Sequence, residues 1–359
     1  MAALKAMHVS DVLHHDHPST PCSTSQLCSS LKTPGFAVIG HRGNGMNKPS
    51  SDDPRINAIK ENSLLSFNAA ASLGVDFVEF DVQVTKDGIP IIFHDDFILT
   101  TDGDRVSKRR VTEMSLKEFL SYGPQTQPGH MGKPLCREAK DGKIYSWTVE
   151  EEDAVCTLQE AFDNVDSSVG FNIELKFDDH HEYTEQELVP VLHVILLVVF
   201  KHAKGRPIVF STFQPDAAGL IRKLQNIYPV FFLTDGGVGT LYKDVRRNSL
   251  DEAMTLCLDN GLQGIVSEVR AIFRYPEIAS KIKDSKLSLF TYGQLNNVPE
   301  VVRMQYLTGI NGVIVDFVED IVEAVLLCLD LGWRPKRLRK LWNARENPRL
   351  VLDQNCKNH

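Results

Sequence analysis

Two carboxylates stand two residues apart within an apolar stretch of the sequence. Glu79 and Asp81 alternate with valine and phenylalanine in the predicted strand 77–84. Because successive strand side chains point to opposite faces, both carboxylates share one face of this strand. Buried carboxylates repel each other and lose hydration unless a cation or hydrogen-bond donors compensate. The pattern therefore predicts a bound divalent metal.

A second strand adds a third carboxylate and a cation. Glu174 and Lys176 are also two residues apart, in the predicted strand 171–177, so they share a face. Glu79, Asp81 and Glu174 offer three hard oxygen ligands, which suit Mg²⁺ or Ca²⁺ rather than zinc. Mg²⁺ is the expected ion and Ca²⁺ is the alternative.

Histidines and a further cation follow other predicted strands. His41 and Arg42 end the predicted strand 36–39, and His94 ends the apolar stretch 89–93. Two histidines can act as acid and base at neutral pH, while Arg42 and Lys176 supply positive charge for a phosphate. A hard cation with open positions can polarise a phosphate oxygen. Together these groups favour phosphodiester cleavage.

The elements that must position these residues alternate strand and helix along the chain. The eight predicted strands are 36–39, 77–84, 171–177, 207–211, 230–233, 264–267, 287–291 and 312–316. Predicted helices are 64–73, 185–202, 216–225, 250–260, 276–284 and 298–307, with another restarting at the capping-box sequence of Thr157. Eight strand–helix units predict a single-domain α/β protein with a (β/α)₈ TIM barrel, whose strand C-termini share one face. A doubly wound sheet is the structural alternative.

Three segments interrupt or flank the predicted barrel, which covers residues 34–330. Residues 97–155 are polar and turn-rich, and we interpret them as an excursion from the barrel. Residues 1–33 are rich in Ser, Thr and His without a continuous apolar stretch, which predicts a disordered tail or a plastid transit peptide. Residues 331–359 form a basic tail, predicted as a solvated helix or a weak contact with an anionic membrane surface.

The composition excludes several classes of protein. The net charge of −8 over 359 residues argues against a nucleic-acid binder. The longest apolar run, 188–200, contains a proline and a histidine and is too short to span a bilayer, so no transmembrane segment is expected. The seven cysteines are scattered and none forms a CxxC pair, which favours a reducing compartment over a disulfide framework.

The same residues resemble the glycerophosphodiester phosphodiesterase family, with a plant-type character. The matching stretches are Gly40-His41-Arg42-Gly43, Glu61-Asn62-Ser63, Val78-Glu79-Phe80-Asp81-Val82, Asp87-Gly88 with Phe93-His94-Asp95, Ile173-Glu174-Leu175-Lys176 and, more loosely, Phe210-Ser211-Thr212-Phe213 and Gly312-Val313-Ile314-Val315-Asp316. The resemblance implies a TIM barrel. It also implies hydrolysis of glycerophosphodiesters, such as glycerophosphocholine or glycerophosphoethanolamine, to an alcohol and sn-glycerol 3-phosphate, with a role in glycerophospholipid breakdown and phosphate recycling.

The resemblance also implies roles for individual residues. These are His41 and His94 as the acid/base pair, Arg42 and Lys176 as phosphate-binding residues, Glu61 as a support of the site, and Glu79, Asp81 and Glu174 as metal ligands. The implied mechanism is attack of the substrate's glycerol 2-hydroxyl on phosphorus, followed by opening of a cyclic phosphate by water. Which histidine begins as the base is left open.

One motif departs from the family. The seventh-strand motif often contains a tryptophan, whereas this chain has Phe290 and Tyr292, which are expected to form the wall of the substrate pocket. The plant-type character of the resemblance favours a plastid location, with the cytoplasm as the alternative.

Three other functions compete with hydrolysis of glycerophosphodiesters. Lysophospholipase D or sphingomyelinase-D-like activity on the same barrel would be favoured by a wide apolar groove beside His41. An inactive barrel that binds phosphometabolites is disfavoured by the intact pair of histidines. A glycosidase with Glu79 and Glu174 as its carboxylate pair would give the histidines no role.

Overall fold

The structure is a computed structural model that describes residues 35–103, 105–125 and 132–330, the last three of these through their backbone only. The predicted N-terminal tail or transit peptide and the basic C-terminal tail lie outside the described residues. Within the described part, every helix is too short or too polar to cross a bilayer.

Eight parallel strands close into a barrel. In chain order, the strands of the structure are β1 Ala37–Gly40, β2 Phe77–Val84, β3 Pro90–Ile92, β4 Phe97–Asp102, β5 Arg105–Arg110, β6 Cys136–Glu138, β7 Ile144–Ser146, β8 Cys156–Thr157, β9 Gly170–Leu175, β10 Ile208–Thr212, β11 Val230–Thr234, β12 Gly264–Glu268, β13 Ser288–Tyr292 and β14 Gly312–Val315. The barrel order is β1-β14-β13-β12-β11-β10-β9-β2, and a β1–β2 pairing completes the circle. The predicted (β/α)₈ barrel is therefore confirmed over the doubly wound sheet.

The helices lie around the barrel, except for one short helix within the excursion. They are α1 Leu64–Leu73, α2 Leu116–Phe119, α3 Leu158–Asn164, α4 Glu185–His202, α5 Pro215–Leu224, α6 Leu250–Asn260, α7 Val269–Arg274, α8 Glu277–Asp284, α9 Pro299–Thr308 and α10 Val318–Asp330. Local sequence fixes their ends: Thr157 and Glu160 form the predicted capping box of α3, and Gly74 ends α1 in a left-handed conformation at φ 91°. The short helix α7, which we did not predict, begins directly after β12.

Strand alternation divides the apolar residues between two cores. Val78, Phe80 and Val82 of β2 point outward and pack under the helices. The barrel interior holds a separate cluster that includes Phe77 and the Phe231–Phe290 ring pair, whose centroids are 4.8 Å apart. Phe77, Glu79 and Asp81 share the inward face, so the carboxylates stand above this interior cluster, toward the C-terminal end of the barrel.

The predicted excursion is a folded unit. Strands β4 to β7 form a four-stranded antiparallel sheet in the order β5-β4-β6-β7. Its core includes Phe93, Met114, Phe119 and Trp147 and also takes in Ile91 of β3, which pairs antiparallel with β2. We call this segment, residues 97–147, the inserted sheet. Because it shares a core with β3, it packs on the side of the barrel that carries β2.

Candidate active site

Strand register brings the three predicted metal ligands together. Asp81 of β2 is the direct parallel neighbour of Glu174 of β9, and Glu79 lies two residues before Asp81 on the same face. One oxygen from each carboxylate lies within 4.8 Å of the others. All three side chains are buried. Lys176 approaches the group, with its Nζ 3.0 Å from Glu174 Oε1 and 3.7 Å from Asp81 Oδ1.

The electrostatics of these carboxylates suit a divalent cation. Burial, and then the charge of Asp81, raises the pKa of Glu79 to about 8. Burial also raises the pKa of Glu174, although Lys176 opposes the shift. Glu79 Oε1 is buried and has no hydrogen-bond partner among the described residues. A buried, unpaired carboxylate oxygen beside two other carboxylates is the environment that a hard divalent cation would stabilise.

Asp81 differs from the other two carboxylates. Burial would raise its pKa, but the charges of His94, Arg42 and Lys176 hold the pKa well below its ordinary value. Asn62 Nδ2 also donates to Asp81 Oδ2 at 2.9 Å. Asp81 is therefore ionised at neutral pH, which a metal ligand requires.

The turn after β1 positions the first histidine and an arginine. Arg42 and Gly43 both adopt left-handed backbone conformations, at φ 50° and 94°. In this turn the Arg42 N–H donates to Glu79 Oε2 at 2.9 Å. The guanidinium of Arg42 donates to Glu61 Oε1 at 2.8 Å and lies 3.3 Å from Asp81. Arg42 thus connects Glu79 and Asp81 to Glu61.

His41 is paired with a carboxylate from the last barrel strand. Its Nδ1 lies 2.7 Å from Asp316 Oδ1, directly after β14, and Asn297 Nδ2 donates to the other Asp316 oxygen at 2.9 Å. Burial lowers the pKa of His41, but the charge and hydrogen bond of Asp316 outweigh it, and the net shift is upward. The shift favours the protonated form of His41 relative to an ordinary histidine, and that form can donate a proton.

His94 has the opposite tendency. Its Nδ1 lies 2.7 Å from Asp95 Oδ1. Burial, and then the positive charges of Arg42 and Lys176, lowers the pKa of His94 to about 4. At neutral pH the ring is therefore neutral and can accept a proton. The two histidines thus have pKa values shifted in opposite directions.

Four residues with roles in this geometry were not assigned from sequence. Asn62 and Asp95 each follow a predicted site residue, and Asp316 lies in a stretch that carries the family resemblance, so their motifs could have identified them. Arg137 of β6 had no such signal. Its guanidinium donates to Glu61 at 2.8 and 3.0 Å and to Asp95 at 2.9 Å.

A cavity of ≈ 470 Å³ opens beside His94, Glu174 and Lys176. Its aromatic wall consists of Phe97, Phe177, Phe213 and Tyr242. Phe290 and Tyr292, the two residues predicted to form the wall of the substrate pocket, both lie on β13. Phe290 is buried in the barrel interior, and Tyr292 packs edge-on against Phe213 at 6.0 Å. Besides residues 94–96 and the ends of β9 and β10, the cavity is lined by residues of the inserted sheet and of the loops after β9, β10 and β11.

Comparisons with known proteins agree on one family. The sequence profile of the glycerophosphoryl diester phosphodiesterase family matches residues 41–320. The chain is 58% identical over 326 residues to the chloroplastic glycerophosphodiester phosphodiesterase GDPD1 of Arabidopsis thaliana, covering 90% of this chain and 89% of the relative. It is 60% identical over 292 residues to GDPD3 of the same plant, covering 81% of this chain and 78% of the relative.

A solved structure shares the fold. The phosphodiesterase of Oleispira antarctica, determined in complex with the product sn-glycerol-3-phosphate, superposes with a TM-score of 0.56 at 23% identity. The match covers 80% of this chain and 96% of that chain.

Proposed function

Because the chain belongs to the glycerophosphoryl diester phosphodiesterase family, we propose that it hydrolyses glycerophosphodiesters such as glycerophosphocholine or glycerophosphoethanolamine to an alcohol and sn-glycerol 3-phosphate. The observation that carries this proposal is the opposite pKa shifts of His41 and His94, which lie beside the buried cluster of three carboxylates. A donor and an acceptor of protons are what cleavage of a phosphodiester needs at neutral pH.

The cluster of three carboxylates supports a metal-dependent reaction. Glu79, Asp81 and Glu174 would hold the ion, and their oxygen ligands suit Mg²⁺, with Ca²⁺ as the alternative. When bound, a divalent cation polarises a phosphate oxygen and stabilises charge that develops at phosphorus. The unpartnered Glu79 Oε1 is the feature of the structure that supports this assignment.

Two cations of this chain would bind the phosphate. Lys176 Nζ lies between the carboxylate group and the cavity. Arg42 is buried, and its Nε lies 3.3 Å from Asp81 Oδ2. Both groups are close to the predicted metal ligands, so a phosphate held there would be next to the two histidines.

In the first step, neutral His94 accepts the proton of the substrate's glycerol 2-hydroxyl as that oxygen attacks phosphorus. The bond between phosphorus and the departing alcohol oxygen breaks, and protonated His41 donates its proton to that oxygen. A cyclic glycerol phosphate forms. The pKa directions of the two residues support this order, which the sequence left open.

The second step reverses the roles. His41, now neutral, accepts a proton from water as the water oxygen attacks phosphorus. His94, now protonated, donates to the ring oxygen that leaves, which regenerates the 2-hydroxyl. Glycerol 3-phosphate is the product, and both histidines return to their starting protonation states.

The cavity wall bears on the alternative activity. Its charged side chains, among them Asp96, Lys108 and Glu138, suit a short polar head group. Lysophospholipase D or sphingomyelinase-D-like activity would need space for an acyl chain and is the alternative that the assay below distinguishes.

The proposed function is tested by incubating the protein with glycerophosphocholine and Mg²⁺ or Ca²⁺. We expect choline and glycerol 3-phosphate in equal amounts, no release after treatment with EDTA, and much slower release by the His41→Ala variant. Metal-independent release, or equal release by His41→Ala, would contradict the proposal. Hydrolysis of lysophosphatidylcholine in preference to glycerophosphocholine would favour the alternative.

Asp316 should set the alkaline limit of activity. His41 must be protonated to act first as an acid, and Asp316 raises its pKa. In Asp316→Asn the pKa of His41 falls, so protonated His41 is lost at a lower pH. We expect the alkaline limb of the kcat/KM profile to move to lower pH while the acidic limb stays in place. Asp320→Asn is the control, because Asp320 is exposed and pairs with Arg55. An unmoved alkaline limb in Asp316→Asn would contradict the assignment.

We also propose a plastid location, with the cytoplasm as the alternative. The support is the name of one Arabidopsis relative, which is chloroplastic. Imaging of the full chain with a C-terminal fluorescent tag, beside a variant lacking residues 1–33, tests it. Plastid signal for the full chain and cytosolic signal for the truncated chain are expected, and cytosolic signal for both would reject the plastid.

A further inference from the structure

We propose that Arg137 is a positioning residue that orients both His94 and Arg42, so that the inserted sheet is part of the catalytic apparatus. The proposal rests on the phosphodiesterase function above. Arg137 lies on β6, outside the barrel, and its side chain is only 12% exposed. It touches neither the predicted metal ligands nor the histidines, and it acts through two intervening carboxylates.

The guanidinium of Arg137 uses all of its nitrogens. Nη2 donates to Glu61 Oε1 at 2.8 Å, Nη1 donates to Glu61 Oε2 at 3.0 Å, and Nε donates to Asp95 Oδ2 at 2.9 Å. Nη1 also donates to the carbonyl oxygen of Asn47 at 3.0 Å. The ring of Trp147 stacks on the guanidinium carbon at 3.6 Å. A planar group held from its edges and its face is fixed in position and orientation.

The first carboxylate orients His94. Asp95 shares its oxygens between the two neighbours, with Oδ1 against His94 Nδ1 and Oδ2 against Arg137 Nε. The Arg137 contact fixes the plane of the carboxylate, and through it the plane of the imidazole. A hydrogen bond to Nδ1 sets the tautomer that leaves Nε2 free to accept a proton. Without Arg137, Asp95 would keep one partner and could rotate.

The second carboxylate orients Arg42. Glu61 is completely buried between the guanidiniums of Arg42 and Arg137, and both donate to its Oε1 at 2.8 Å. Because two cations share this carboxylate, it does not neutralise Arg42 fully. Without Arg137, Glu61 would lose two of its hydrogen bonds and would pair more closely with Arg42, which would weaken the attraction of Arg42 for a phosphate.

The inserted sheet therefore both lines the cavity and supports residues of the active site. Phe97, Leu99, Lys108 and Glu138 of this sheet line the cavity, and Arg137 reaches from the same sheet to the supports of the base and of the phosphate-binding arginine. A lysine at position 137 could keep the charge but could not span Glu61 and Asp95 with a planar fork.

The test compares Arg137→Ala with Arg137→Lys on glycerophosphocholine. We expect both to lower kcat/KM, Arg137→Ala by about 10²-fold, since small displacements of catalytic groups carry penalties of that order. Added guanidinium chloride at millimolar concentration should restore part of the activity of Arg137→Ala by occupying the vacated site. Arg109→Ala is the matched control: Arg109 lies on β5 of the same sheet and pairs with exposed Glu118. It should retain wild-type activity and gain nothing from guanidinium.

A second measurement does not depend on turnover. Histidine-selective ¹⁵N labelling reports the tautomer of His94 by NMR, with His94→Ala used for assignment. We expect one Nδ1-protonated tautomer in the wild type and a mixture of tautomers in Arg137→Ala, with the melting profile showing a folded protein. Wild-type inactivity would reject the proposed function but leave this readout intact.

Two results would overturn the inference. One is folded Arg137→Ala with kcat/KM within twofold of wild type. The other is a loss of activity that guanidinium does not rescue, with the His94 resonances unchanged, because that would make Arg137 a structural residue of the inserted sheet only.

Discussion

Replacement of His94 by alanine is expected to lower glycerol 3-phosphate release from glycerophosphocholine by about 10²–10⁴-fold, the usual contribution of a positioned acid or base. Replacement of His41 should have an effect of the same order. Neither histidine contributes to the apolar cores, so both variants should remain folded. Choline is a poor leaving group, and each substitution removes a proton transfer that its departure requires.

A substrate with a better leaving group separates the two roles. In a glycerol phosphate ester of p-nitrophenol, the departing oxygen leaves without protonation, so the first step no longer needs His41 as an acid. We expect His41→Ala to release nitrophenolate at close to the wild-type rate but to accumulate cyclic glycerol phosphate, because opening of the ring still needs His41 as a base. His94→Ala should fail to release nitrophenolate. The reverse pattern would exchange the starting roles of the two residues.

The second large effect concerns the cluster of three carboxylates, Glu79, Asp81 and Glu174. We expect Glu79→Gln to lower kcat by about 10²-fold or more, because stabilisation of phosphoryl charge by a metal is worth several kcal/mol. The same variant should be more stable than the metal-free wild type. Burial and the charge of Asp81 raise the pKa of Glu79 to about 8. Ionised Glu79 therefore destabilises the folded protein, whereas the neutral amide of glutamine does not.

The stability difference between Glu79→Gln and the wild type depends on pH, and its sign follows from the upward pKa shift of Glu79. The folded pKa of Glu79 is above the ordinary glutamate value of 4.5. Below 4.5 the carboxyl is protonated in both states and carries no electrostatic penalty. As the pH rises from there to about 8, the unfolded chain ionises first, and the metal-free wild type loses stability relative to Glu79→Gln.

Thermal melting in EDTA measures this difference. We expect the Tm advantage of Glu79→Gln to grow between pH 5 and pH 8, at about 2–4 °C per kcal/mol. Added Mg²⁺ should raise the Tm of the wild type and leave that of Glu79→Gln almost unchanged. Glu182→Gln is the control, because Glu182 is exposed and pairs with Lys243. A lower Tm for Glu79→Gln than for the wild type in EDTA would contradict the assignment.

Strand periodicity was sufficient to predict the carboxylate face of the barrel. Apolar alternation places Glu79 and Asp81 on one face of β2, and the same rule places Glu174 and Lys176 together on β9. The direct pairing of Asp81 with Glu174 is a matter of register between strands about 90 residues apart in sequence. The local sequence pattern does not determine this register. The recurring strand–helix units did, however, predict that the C-terminal ends of the strands lie on the same face of the barrel.

Depth along the barrel distinguishes Phe290 from Tyr292. Phe290 and Tyr292 share a strand face, so sequence could place both inside the barrel. It could not tell that Phe290 belongs to the lower interior layer with Phe231, whereas Tyr292 lies at the level of Phe213. The side chains that form the wall come from loops and from the inserted sheet.

The inserted sheet escaped prediction for a different reason. Strand β5, Arg105–Arg110, is exposed along nearly its whole length and carries no apolar alternation. The core of this unit is assembled from single side chains of several short elements, such as Phe93, Phe119 and Trp147. Arg137 contacts Glu61 across 76 residues, and only the folded structure shows that pairing.

We propose that one site, formed by two histidines and a metal-binding cluster of three carboxylates, converts glycerophosphodiesters to glycerol 3-phosphate through a cyclic phosphate. ³¹P NMR of glycerophosphocholine turnover by the Mg²⁺-loaded protein tests it most directly. We expect the diester signal to disappear, a cyclic phosphate signal to appear transiently and a glycerol 3-phosphate signal to remain at the end, with none of these changes in EDTA. A diester signal that persists with metal, or glycerol 3-phosphate that forms equally in EDTA, would contradict it.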